Sequence, residues 1–171
     1  VFRLALHIVD ELTLWHSYGI AHGHLSPENI SVDPANIGKF LDSGVALTLM
    51  QALQQFGESD FPLGYEKTSF APEILRGGPA SYAADIYGLG KILEQLFTTL
   101  RRLYDPSQRG EQNSHTVTLT DIQSLLSFCA RLLSDDPLKR PRMEEIREML
   151  AKLGVKSIEE IVGHVEKLDM E

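Results

Sequence analysis

His22-Gly23-His24-Leu25-Ser26-Pro27-Glu28-Asn29 is the stretch on which the fold turns. It closes a loop, Ile20 to Glu28, that interrupts two kinds of regular pattern. Upstream, Leu4, Ile8, Leu12 and Trp15 share one helical face with Ala5 and Val9 beside them, and Gly19 marks the stop. Downstream, the extended runs Ile30 to Val32 and Ile37 to Leu41, joined by Asp33-Pro34-Ala35-Asn36, predict a small hairpin.

Further out, residues 42–82 hold Gly44, Gly57, Pro62, Gly64, Pro72, Gly77, Gly78 and Pro79. So many breakers predict loop for most of the stretch, with room for a short helix over Val45 to Phe56. From Ala83 the pattern changes. Ile86, Leu89, Leu93, Leu96, Leu100 and Leu103 recur at helical spacing, with Ile92 and Phe97 widening the apolar face, so this is the strongest and most buried helix. Residues 104–117 are polar and predict an exposed connection. Thr120 with Gln123 reads as a capping box opening a helix through Leu133. Pro141 suits the first turn of another helix, with Met143, Ile146, Leu150 and Leu153 inward and Gly154 as its stop. Ser157 and Glu160 read as a further capping box before the apolar stripe Ile158, Ile161, Val162, Val165 and Leu168. There is no internal repeat.

Composition narrows the classes of function. The chain has 171 residues, 43% of them apolar, which is enough for a packed core and excludes a disordered or fibrous chain. The net charge is −8, with four basic against nine acidic residues in 1–80 and twelve against fifteen in 81–171. Neither half offers a basic patch, so nucleic acid is not the expected partner. Cys129 is the single cysteine, set between Phe128 and Ala130 in an apolar helical stretch, and reads as a packed thiol. No run of apolar residues is long enough for a membrane span, and Val1-Phe2-Arg3 does not open a signal peptide. A soluble chain is expected, cytoplasmic by default. His7, His16, His22, His24, His115 and His164 are scattered without cysteine partners or helix-spaced pairing, which argues against zinc. Ser26 and Ser43 lie near histidines but not on a strand-to-helix elbow, which argues against a hydrolase.

The order of five motifs carries more than any one of them. After His22–Asn29 come Asp42-Ser43-Gly44, Ala71-Pro72-Glu73, Asp85-Ile86-Tyr87-Gly88-Leu89-Gly90 and Asp136-Pro137-Leu138-Lys139-Arg140-Pro141. Together they resemble the C-terminal lobe of a protein kinase, over residues 1 to about 153. His22, Leu25 and Asn29 fall where the catalytic-loop pattern H-R-D-L-x-x-x-N places His, Leu and Asn. The resemblance implies a mainly α fold, a helical bundle with a small β-hairpin at the catalytic-loop position. Residues 154–171 then form a C-terminal helical extension, which either packs back on the lobe or leads into a following domain or coiled-coil partner.

The same resemblance assigns roles, and several positions depart from it. Asn29 and Asp42 match the oxygen ligands for magnesium, as vestigial candidates. His24 stands where the catalytic aspartate belongs, and Ser26 where the loop lysine belongs, so no catalytic set is intact. Gly23 replaces an arginine that receives an activation-loop phosphate, so phosphorylation at Tyr65, Thr68 or Ser69 lacks its usual docking group. Ser43 replaces the phenylalanine of D-F-G. The architectural positions are kept: His22, the ion pair of Glu73 with Arg140, and Asp85 as acceptor for backbone amides of the His22 loop. Asp85 also suits the positive end of its own helix. Gly88-Leu89-Gly90 lies inside the long helix, where small residues allow close packing, and is too short for a phosphate loop.

A pseudokinase is the resulting expectation: a domain that binds a protein partner or an adjacent domain and acts as scaffold or allosteric regulator. No cofactor is required, and ATP with Mg is expected only together with an N-lobe that this chain does not contain. The alternative is an atypical active kinase that transfers the γ-phosphate of ATP to Ser or Thr with Asn29 and Asp42 holding metal. The activation-segment region and the helices after Tyr104 are the expected interaction surfaces.

Overall fold

The computed structural model describes residues 1–34, 37–41, 48, 52, 70–103 and 118–153. Helix α1, Phe2–Ser17, buries Ala5, Ile8, Val9 and Leu12 along one stripe. It ends through Tyr18, and Gly19 follows with φ +77°. The loop beyond it runs into a 3₁₀ turn, Pro27–Asn29, and then into strands β1, Ile30–Val32, and β2, Gly38–Phe40. The strands pair antiparallel with Ile30 opposite Phe40 and Val32 opposite Gly38. The turn between them is closed by the Asp33 carboxylate, which accepts from the Ile37 amide at 2.9 Å.

Helix α2, Pro72–Leu75, is one turn with proline at its start, where a missing N–H costs nothing. Helix α3, Tyr82–Leu103, is the longest among the described residues at 22 residues and carries ten buried side chains or glycines. Helix α4, Leu119–Leu132, packs along it, and a 3₁₀ turn, Pro137–Lys139, leads to helix α5 over residues 143–153. One core joins these helices, with Leu12, Leu89, Phe97, Leu125, Ile146 and Leu150 among its buried members. A smaller cluster of Phe70, Ala71, Ile74 and Ala84 sits under α2, with Tyr87 against it. Among the described residues the architecture is mainly α with one small hairpin, the kinase-like C-lobe expected from the motif order.

Several boundaries differ from the sequence reading. The capping box of α4 is Thr118 with Asp121, two residues before the Thr120–Gln123 pair. Thr118 Oγ1 accepts from the Asp121 amide at 3.1 Å, and the Asp121 carboxylate accepts from the Thr118 amide at 3.0 Å. The short aspartate side chain closes the box as well as a longer one does. The helix stops at Leu132, and Leu133 is its cap rather than its last residue. Pro141 lies just before α5, not within its first turn, because the Ile146 amide donates to the Arg142 carbonyl, which makes Arg142 the N-cap. Met143, Ile146, Leu150 and Leu153 are buried as the spacing predicts. The helix expected over Val45 to Phe56, the connection at 104–117, the stop at Gly154 and the capping box at Ser157 lie wholly or largely outside the described residues.

Candidate functional site

The His22 loop is suspended from α3 by one carboxylate. Asp85, in the first turn of α3 and almost fully buried, accepts from the His22 amide through Oδ2 and from the Gly23 amide through Oδ1, both at 2.8 Å. Aiming two successive amides at one carboxylate turns the backbone sharply, and Gly23 takes φ +80°, where a side chain would be strained. The Asp85 Oδ2 also accepts from His16 Nε2 at 2.9 Å, and the His16 ring lies 4.2 Å from that of Tyr82. Asp85 thus ties α1, the loop and α3 together.

The loop can lie this close because of Gly88. A Cβ there would overlap the Leu25 carbonyl. Two residues on, and so on the far side of the helix, a Cβ at Gly90 would come within 2.8 Å of the Leu132 Cβ on α4. The two glycines of α3 therefore serve opposite neighbours, the loop and the next helix.

Within the loop the hydrogen bonds assign the histidine tautomers. Asn29 Nδ2 donates to the His24 carbonyl at 3.0 Å, which orients the amide, because only an N–H satisfies a carbonyl oxygen. The same Nδ2 lies 2.9 Å from His24 Nδ1, so that nitrogen accepts and the ring proton resides on Nε2. His22 Nδ1 likewise accepts, from the His24 amide at 3.3 Å. His22 is fully buried, stacked on Trp15 at 5.4 Å and met edge-on by Phe40 of β2 at 5.3 Å. His24 is covered by Phe70, ring to ring at 4.3 Å and 9°. Ser26 is buried, and its Oγ has no hydrogen-bond partner among the described residues.

Arg140 anchors the other end of the site. Its guanidinium forks onto Glu73 of α2, Nη1 to Oε1 and Nη2 to Oε2, the latter at 2.8 Å. Nη1 also donates to the Ala83 carbonyl at 2.8 Å and Nε to the Ser134 carbonyl at 2.9 Å, and the group lies over the Tyr87 ring. Burial pushes the Glu73 carboxyl up, but the Arg140 hydrogen bond, a backbone hydrogen bond and the charges of Arg140 and Arg76 together outweigh it and hold the group below its ordinary value.

For a hard cation, one element of fit is visible. Anchoring Asn29 through Nδ2 leaves Oδ1 without a hydrogen bond among the described residues, and an amide oxygen suits magnesium. Asp42, its expected companion, lies outside the described residues, as do Ser43, Tyr65, Thr68 and Ser69. Among the described residues no group of three or more His, Cys, Asp or Glu side chains is placed to hold a metal ion. No described helix is long and apolar enough to cross a membrane.

The structure thus brings together His22, His24, Ser26, Asn29 and Asp85 at one place and Glu73 with Arg140 at another. Sequence reading missed His16, Trp15, Phe40 and Phe70. His16 and Asp85 are 69 residues apart, and no local spacing links them. An aromatic cluster around a loop leaves no periodic trace.

The family described as protein kinase domain matches residues 2–151, and the chain belongs to it. Similar proteins include the serine/threonine-protein kinase PknD of Protochlamydia amoebophila, 28% identical over 97% of this chain and 18% of its own length. The serine/threonine-protein kinase mos of Patiria pectinifera is 35% identical over 56% of the chain and 28% of its own length. The mos kinase of Xenopus laevis is 28% identical over 86% of the chain and 46% of its own length. The chain spans less than half the length of each of these relatives.

Proposed function

We propose that this kinase-family domain does not transfer phosphate by the conventional mechanism and works as a pseudokinase, a folded surface that positions or regulates a protein partner or adjacent domain. The observation that carries the reading is the Asn29 amide set 2.9 Å from His24 Nδ1. A catalytic aspartate accepts the substrate hydroxyl's proton. His24 stands at that position, and the Asn29 amide occupies its accepting nitrogen, leaving an N–H on the other. The ring offers a donor where the chemistry needs an acceptor. Ser26 adds nothing in place of a lysine, since a hydroxyl carries no charge to steady a phosphoryl group. The clamp of Glu73 with Arg140 and the Asp85 suspension support the complementary half of the reading, a lobe kept rigid for binding. No cofactor is needed for such a role.

The relatives are named serine/threonine-protein kinases, which favours a second reading, an atypical active serine/threonine kinase. There Asn29 and Asp42 would hold magnesium, which neutralises phosphate charge when bound, and the Asn29 Oδ1 is disposed to serve it. The test is incubation of the full-length protein with labelled ATP and magnesium beside an Asp42→Ala variant. The pseudokinase reading expects no transfer from either. Transfer that disappears in Asp42→Ala overturns it. A rise in melting temperature with ATP but no transfer marks nucleotide as a structural ligand.

A further inference from the structure

The stack of Phe70 on His24 has a consequence for access. Both residues are buried, 3% and 4% exposed, and their rings are nearly parallel at 9°. The Phe70 ring cannot swing freely, because Phe70 belongs to the cluster with Ala71, Ile74 and Ala84. Ile74 follows Glu73 in α2, and the Arg140 clamp holds that turn in place. The imidazole is fixed just as firmly, through Asn29 Nδ2. Two anchored flat groups therefore face each other.

We propose that Phe70 is a built-in plug on the His22 loop, an autoinhibitory contact that keeps an acceptor hydroxyl from reaching position 24 until the Phe70 ring is displaced. The plug and the residue beneath it suit each other. An aspartate at position 24 would set a negative charge against the electron-rich face of a phenyl ring, whereas a neutral imidazole stacks on it. The departure at His24 thus removes an acceptor and also supplies the surface that the plug rests on. This goes beyond the proposed loss of conventional transfer, which concerns what His24 can do and not what can reach it. In an active kinase the same contact would be a gate, in a pseudokinase a permanent cover.

Diethyl pyrocarbonate acylates neutral imidazoles that solvent reaches, and peptide mass spectrometry reads each histidine separately. In the full-length protein a short pulse is expected to leave His24 at least tenfold slower than a histidine model peptide. In Phe70→Ala His24 is expected to react at least tenfold faster than before, with His22 still protected beneath Trp15 and Phe40. His22 is the internal monitor of folding. Should it react too, the reading passes to Phe70→Val, which restores part of the apolar volume without a ring to cover the imidazole, with the same expectation. Rapid modification of His24 in the unaltered protein overturns the plug, as does unchanged protection of His24 in whichever variant keeps His22 protected. The two readings fail separately: an unprotected His24 sinks the plug alone, and Asp42-dependent transfer with His24 still masked sinks the pseudokinase reading alone.

Discussion

Arg140 and Glu73, 67 residues apart, meet as a fork on a carboxylate, and the pair is lopsided: the arginine side chain is 1% exposed and the glutamate 20%. Removing Glu73 strands a cation that water cannot reach. Glu73→Ala is therefore expected to destabilise the lobe by about 3–5 kcal/mol. Urea unfolding measures it, and a loss well under 1 kcal/mol would show that the Ala83 and Ser134 carbonyls suffice for Arg140.

The lowered Glu73 carboxyl predicts an acid limb of stability. A group whose native value lies below its unfolded one, here 4.5, adds stability that is fully present above that value. The contribution is lost as pH falls through the lower native value. Melting temperature should therefore drop below about pH 4.5 more steeply in the unaltered protein than in Glu73→Gln, which cannot titrate there. Parallel curves for the two proteins would contradict this.

Gly88→Ala reverses the usual sign of a helical substitution. In an open helix it would stabilise by about 0.5–1 kcal/mol. Here the new Cβ meets the Leu25 carbonyl, backbone that cannot rotate away, so a loss of about 1–3 kcal/mol is expected. Gly90→Ala presses on the Leu132 Cβ and the more yielding Leu133 side chain and should cost less. Thermal unfolding of the two variants gives the order.

Asp85→Ala removes the acceptor of two buried amides and of His16 at once. With unsatisfied buried donors costing about 1–3 kcal/mol each, a loss of about 3–5 kcal/mol is expected. Hydrogen exchange should accelerate at the His22 and Gly23 amides ahead of the α4 amides in the same variant. Uniform acceleration would mean that Asp85 supports the whole lobe and not the loop first.

Cys129 should behave as a core residue. Burial, with the Glu94 carboxylate adding to it, pushes the thiol up to about 12, so almost no thiolate exists at pH 8. A disulfide reagent is expected to leave the native protein unmodified and to react across the urea unfolding transition. Fast labelling of the native protein would contradict the packing.

Much of the fold was legible in the chain because its rules are local. The stripe of Ala5, Ile8, Val9 and Leu12 repeats at the helical period, and the strand pair 30–32 and 38–40 brackets a turn whose residues announce it. The α4 start differs from the sequence expectation because Thr118-x-x-Asp121 and Thr120-x-x-Gln123 both resemble a cap. Only the way the chain enters the helix separates them.

The candidate site divides in the same manner. Motif order, with the resemblance it carries, singles out His22, His24, Ser26, Asn29, Glu73, Asp85 and Arg140 as candidates, since the residue type at each motif position is visible without coordinates. Tertiary structure alone decided that the Asn29 amide meets His24 Nδ1, that His16 shares the Asp85 carboxylate, and that Phe70 lies across the imidazole. The physical reason is range. Helix and turn preferences act over a few residues and leave a period to read, whereas a shared carboxylate or a ring stack is set by groups that meet only after the chain has closed distances of tens of residues.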